Sequence, residues 1–200
     1  MKIYVALCDA LAKMRSKILV IDLRLRGANV HRTVKMKARI DINNAESLVL
    51  AEGVQIGRGV KVTISGSKVA IGAGTVLGDN ARLDAIGGDI SIGSNVLINT
   101  STIVTSWSGV VVGDNVLFAP FCHITDRNHG LERAELIRSQ RGTSAPIEIG
   151  EDVWVASSCM ILEGVSIARG AVVGANSVVN KSVDEYTIVA GTPAKVIGNR

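Results

Sequence analysis

Six aliphatic residues in the second half of the chain recur at a spacing of six: Ile149, Val155, Ile161, Ile167, Val173 and Val179. Gly150, Ala156, Ala168 and Gly174 directly follow four of them, and a second slim residue sits four places on, at Val153, Cys159, Val165, Ala171, Ser177 and Val183. Neither a 3.6-residue helix nor the two-residue alternation of a strand has that period. A chain that turns a corner after every short strand does, with one large and one small inward slot per edge of a narrow triangular prism. The pattern predicts an all-β fold, a parallel β-helix whose coils each hold three hexamers, about 18 residues.

The pairs Ile56-Gly57, Ile71-Gly72, Ile92-Gly93, Val112-Gly113 and Ile149-Gly150 mark successive coils. Intervals slightly off the expected length place corner insertions near residues 66–68, 87–89 and 107–110. The last interval is about twice the expected one. Here the repeat runs through Val112, Phe118 and Ile124, stops at Asp126 and resumes at Ile147, leaving an extended, polar, aperiodic loop over 127–146. A lone long excursion from a regular scaffold is more often functional than accidental. At the other end, Ile3, Leu7, Leu11, Met14 and Ile18 follow helical spacing and predict an N-terminal amphipathic helix to about Leu19, capping the open end of the β-helix. Residues 30–42 read as a degenerate first coil. The expected division is a basic helical cap over 1–45, the β-helix over 46–190 and a C-terminal tail over 191–200.

Composition sharpens this picture. The chain is 47% hydrophobic but only 3% aromatic, which suits Val and Ile at fixed slots better than an aromatic-centred core. The net charge of +4 hides an asymmetry: the basic residues cluster before Ile40, opposed there by Asp9 and Asp22, while the remainder is mildly acidic. Such a segment suits contact with a phosphate-bearing glycolipid or an anionic membrane surface, or it is the solvated face of a cap. No apolar run reaches membrane-spanning length, and Asp9, Lys13, Arg15 and Lys17 interrupt any signal-peptide core, so the expectation is a cytoplasmic protein with peripheral contact at the inner membrane face open. No nucleic-acid partner is expected. The three cysteines lack metal-type spacing; Cys122 and Cys159 fall in small inward slots and read as core filler, with an acyl-cysteine intermediate as the alternative.

Five segments carry a family likeness: Val112–Pro120 (VGDNVLFAP), Ile124–Gly130 (ITDRNHG), Ile149–Val155 (IGEDVWV), Val173–Val179 (VGANSVV) and Val189–Ile197 (VAGTPAKVI). Through them the sequence resembles the hexapeptide-repeat acyltransferases, in particular the sugar O-acetyltransferase branch. The resemblance implies a left-handed β-helix, a homotrimer with sites between neighbours, acetyl-CoA as co-substrate and no metal. The ITDRNHG run is most similar to transferases acting in polysaccharide biosynthesis, on lipopolysaccharide, capsule or exopolysaccharide sugars.

Moving an acyl group from a thioester to a hydroxyl needs a base, and imidazole titrates in the right range. Of the three histidines, His31 lies in the basic segment and His123 in an outward slot of a regular hexamer. His129 stands at the mouth of the excursion and matches the family's catalytic histidine. A base needs its second ring nitrogen held; Glu135 or Glu132 ranks ahead of Asp126, which is also an acceptor-side candidate. By resemblance Asn99 contacts the acceptor sugar, although a corner Asn tolerating a left-handed turn reads equally well. The resemblance also places Ser157 beside the thioester, Trp154 along the donor, Ala175 in the pantetheine groove, and Asn180, Lys181 and Lys195 near its outer end. Two departures stand out: Lys195 replaces a common Arg, and Gly198 occupies a second frequent Arg position that Arg200 could serve. The expectation is direct transfer to a sugar hydroxyl. Alternatives are an N-acetyltransferase acting on an amino sugar, a zinc β-helix enzyme (His123 and His129 giving two ligands and no third) and a non-catalytic scaffold.

Overall fold

One strand of two to five residues forms each edge of each coil, and successive coils pair in parallel over three faces. The structure, a computed structural model, describes residues 2–200, except for the side chains of Lys2, Ile3, Val5 and Ala6. The faces are sheets of seven, nine and seven strands. Within a coil the chain passes from the first face (for example Ile90–Ile92) to the second (Leu97–Ile98) and the third (Ile103–Ser106).

Large inward slots stack in register. On the second face Ile56, Leu77, Ile98, Phe118, Val155, Val173 and Val189 lie one above another. None is more than 4% exposed. Burying each such side chain is worth about 1.5–3 kcal/mol, and the column explains why the core needs no aromatic beyond Phe118. Corners take the left-handed conformation, supplied by Asn80, Asn95, Asn115, Asp152 and Asn176 among others; Asn and Asp bear that geometry at least cost after Gly.

The small inward slots have a second duty. Thr75 Oγ1 donates to the Gly93 carbonyl at 2.8 Å and Thr102 Oγ1 to the Ala119 carbonyl at 3.1 Å, each in the next coil. Cys122 Sγ does the same to the Ala156 carbonyl at 3.2 Å, and Cys159 Sγ to the Gly174 carbonyl at 3.0 Å. Both thiols are buried and free. The Cys159 sulfur hydrogen-bonded beside it, together with burial, pushes the Cys122 thiol up, and the same contact pushes the Cys159 thiol down to about 7; burial of both sulfurs keeps an acyl donor from reaching them.

All the insertions leave at one edge, between the third and first faces. Turns at 66–68, 87–89 and 107–109 follow the strands Lys61–Ser65, Arg82–Ile86 and Ile103–Ser106. The excursion departs there too, and the ladder resumes across it, with Val110–Val112 pairing directly with Ile147–Ile149.

Three expectations change. Helix α1 spans Lys2–Leu25, well past Leu19. It docks by its last turns, through buried Val20 and Leu23, with Arg24 donating to the Val30 carbonyl. The predicted stripe of Leu7, Leu11, Met14 and Ile18 therefore faces away from the β-helix, each side chain about half exposed; the side chain of Ile3 lies outside the described set. Second, Asn29–Val30, Lys35–Met36 and Asp41–Ile42 form a complete first coil, so the β-helix begins inside the segment read as a cap. Third, residues 191–200 are no tail: Thr187–Gly191 and Ala194–Asn199 form an antiparallel hairpin, which covers the last strand of the second face.

Candidate active site

The excursion is anchored at Asp126. Its carboxylate is fully buried and accepts the backbone N–H of Trp107 at 2.7 Å, Ser108 at 2.7 Å and Gly109 at 2.8 Å. Its carbonyl accepts the Ala145 N–H at 3.1 Å, where the chain returns. Asp126 thus ties the preceding corner to both ends of the excursion. Buried and holding three backbone donors, this carboxylate has a structural post beside the acceptor contact expected of it.

Beyond Asp126, Arg127–Asn128 pairs antiparallel with Thr143–Ser144. The Arg127 guanidinium stacks 3.5 Å from the centroid of the Trp107 ring, a cation–π contact. Gln140 staples the tip: its amide nitrogen donates to the carbonyls of Glu132 (2.7 Å) and Glu135 (2.9 Å), and its oxygen accepts the Glu132 N–H at 2.8 Å. None of these three side chains, Arg127, Trp107 or Gln140, was marked by sequence. Only the position of Trp107 at a corner insertion hinted at its part.

His129 follows this ribbon directly. Its backbone N–H is held by Asn128 Oδ1 at 2.9 Å, while its exposed ring makes no hydrogen bond to described residues. The carboxylates of Glu132 and Glu135 are exposed and do not pair with it. Within one chain, then, the base candidate is presented but not yet oriented.

The donor-side candidates occupy two places. Trp154, half exposed, projects from the second face. Ser157 and Ala175 stand at the corner where that face meets the third, one coil apart. Lys195 lies on the return strand, opposite Ala190. Asn180 and Lys181 are exposed at the opposite edge of the third face, the edge from which the excursion departs. The Arg200 guanidinium, suggested as a stand-in for position 198, pairs with Asp152 at 2.8 Å.

The corner carrying Ser157 and Ala175 is capped in some coils and bare in others, the N–H groups of Ala38 and Asp79 likewise lacking an acceptor among the described residues. The Arg58 N–H is accepted by Asp79 Oδ1 at 2.9 Å, the Thr100 N–H by Asn99 Oδ1 at 2.7 Å and the Gly191 N–H by Ser177 Oγ at 3.0 Å. The Arg58 N–H, with the Lys37 ammonium, holds the Asp79 carboxyl below its ordinary value. The N–H groups of Ser157 and Ala175 have no acceptor among the described residues. Asn99 itself is not the left-handed residue of its corner; Ser101 is, at φ 56°. With Oδ1 engaged, the Asn99 amide nitrogen remains available to a ligand.

His123 projects from the third face, half-buried, and burial followed by the Arg82 charge holds it below its ordinary value. Among the described residues no group of three His, Cys, Asp or Glu is placed to hold a metal ion.

Residues 146–181 match the family described as Bacterial transferase hexapeptide (six repeats). Over 74% of its length the chain is 32% identical to a probable acetyltransferase of Mycobacterium tuberculosis, covering 50% of that protein. Over 60% of its length it is 38% identical to a protein of Escherichia coli provisionally named a lipopolysaccharide biosynthesis O-acetyl transferase, covering 66% of it. The chain therefore spans between half and two thirds of these curated relatives. It also superposes on a hexapeptide-repeat-containing acetyltransferase of Vibrio cholerae, solved in complex with acetyl coenzyme A, with a TM-score of 0.59, 28% identity and coverage of 68% of this chain and 72% of that one.

Proposed function

This chain belongs to the hexapeptide-repeat acyltransferase family, and we propose that it transfers an acetyl group from acetyl-CoA to a sugar hydroxyl. The observation that carries the reading is the pair of bare N–H groups at Ser157 and Ala175, one coil apart near the half-exposed Trp154. The spacing of about 4.8 Å between coils suits successive polar groups of an extended pantetheine arm. Trp154 offers a flat apolar surface alongside, and Lys195 a cation for phosphate.

In this reading the Ser157 N–H points at the thioester oxygen as it gains negative charge. His129 accepts the acceptor hydroxyl's proton while the hydroxyl oxygen bonds to the acyl carbon, then returns that proton to the departing sulfur. The Asn99 amide nitrogen orients the acceptor. Transfer is direct: the buried Cys122 and Cys159 are committed to corner carbonyls and take no acyl group.

His129 and the corner of Asn99, Ser157 and Ala175 stand at opposite edges of the third face, about 10 Å or more of strand apart. One chain cannot bring them together, and a neighbouring copy in a homotrimer can. Leu131, Leu136 and Ile137, each more than half exposed on the excursion, suit burial against that neighbour.

His129→Ala tests the reading. Acetyl transfer, read as thiol release from acetyl-CoA with a panel of sugars, should fall by about 10²–10⁴ while coenzyme A binding persists. Turnover close to the parent's rejects His129 as base, and an amino sugar as the sole productive acceptor moves the reading to N-acetylation.

A further inference from the structure

Between α1 and the second face lies a cleft of about 850 Å³. Lys13 and Lys17, one helical turn apart, line it from α1, and Arg32, Lys35 and Lys37 from the first coil. Asp79 takes up Lys37 at 3.2 Å, and also Arg58 at 3.3 Å. Lys13, Lys17, Arg32 and Lys35 have no carboxylate partner among the described residues. Four uncompensated cations around one concavity repel each other and focus a positive potential into it.

The floor has a different character. Lys35, Gln55, Val76 and Leu97 occupy corresponding outward positions on four neighbouring strands. The row thus passes from cation through amide to aliphatic, and it ends beside Asn99 and Thr100, which also line the cleft. Three strand spacings separate the Lys35 strand from the Leu97 strand, about 14 Å. A hexose followed by a diphosphate fills such a span, with its C–H face on Val76 and Leu97.

We propose that this cleft binds the acceptor as a phosphate or diphosphate ester of a sugar, with the sugar at Asn99 and the phosphates among Lys13, Lys17, Arg32 and Lys35. The orientation of the sugar end rests on the acetyl-transfer reading; the anion site does not. Nucleotide-linked and prenyl-linked sugars share this chemistry. Charge-assisted hydrogen bonds to phosphate oxygens give such a carrier its hold, and the apolar floor adds contact that inorganic phosphate cannot use.

Isothermal titration without donor tests the proposal, using UDP-glucose, farnesyl-diphosphoryl glucose, glucose and inorganic pyrophosphate on the full chain. Both esters should bind at least about tenfold more tightly than glucose, weaken with added salt and compete with pyrophosphate. Whichever ester binds more tightly identifies the carrier, and either ranking supports the site. Arg32→Glu/Lys35→Glu should lose at least about tenfold in affinity for both esters. Lys13→Ala/Lys17→Ala, with milder changes at exposed positions, should lose affinity in the same direction and melt as the parent does. Glucose binding as tightly as both esters, or unchanged ester affinity in both variants, overturns the proposal. A parent that binds esters yet transfers acetyl to no acceptor leaves this site standing and rejects acetyl transfer; transfer to free sugars without ester binding does the reverse.

Discussion

Replacing Asp126 with alanine removes, in one step, the acceptor for the N–H groups of Trp107, Ser108 and Gly109. A backbone donor left unpaired in a buried place costs about 1–3 kcal/mol, more when its partner was charged. Trp107 and Ser108 lie on the exposed side of their corner, so water recovers part of the loss. The net destabilisation comes to about 3–5 kcal/mol. For a chain of 200 residues, each kcal/mol moves the melting midpoint by about 2–4 °C, so the variant should melt roughly 10 °C lower in circular dichroism at fixed protein concentration. Because the Asp126 backbone also receives Ala145, loosening the junction should speed tryptic cleavage within 127–146, at Arg133, Arg138 and Arg141. Asp126→Asn, which keeps one acceptor oxygen, should fall between. An alanine variant that melts within about 2 °C of the parent and resists trypsin equally would show that the junction is held by something other than this carboxylate.

Two further outcomes follow from the corners and the third face. Cys122→Thr should keep both fold and acetyl transfer, because Thr102 already performs the same donation one coil earlier; loss of transfer in a variant that melts normally would revive a covalent thiol route. His123 is held below its ordinary 6.5 by burial and then by Arg82, so the stability it contributes is present above the unfolded pKa and is lost as pH falls through that value toward the folded one. Thermal midpoints of the parent should therefore decline more steeply on acidification below about pH 6.5 than those of His123→Gln; parallel declines refute the assignment.

The period of six in Ile149 to Val179 was enough to read the architecture, because each slot in a stacked prism imposes the same size on every coil. The excursion was legible as the place where that constraint lapses. What escaped the reading were matters of direction. Leu7, Leu11, Met14 and Ile18 fix the helical period of α1 but not which stripe meets the β-helix; Val20 and Leu23, docked near the Arg24 tie to Val30, decide that. Asp126 looked like one carboxylate among several in a polar loop, since nothing in the sequence shows that Trp107, Ser108 and Gly109 turn their N–H groups toward it. Residues 30–42 read as a degenerate first coil, yet they form a complete one, and its outward Lys35 and Lys37 edge the cleft under α1. The bare N–H groups of Ser157 and Ala175 are invisible in any sequence, because they are defined by what neighbouring coils do not supply.

The turns at 66–68, 87–89 and 107–109 and the excursion all emerge along a single margin of the prism, and the strands on either side keep their pairing regardless. Doubling the length of such a loop adds only about 0.6 kcal/mol of closure entropy. New recognition elements can thus be grafted along this seam storey by storey, while the stacked interior beneath stays untouched.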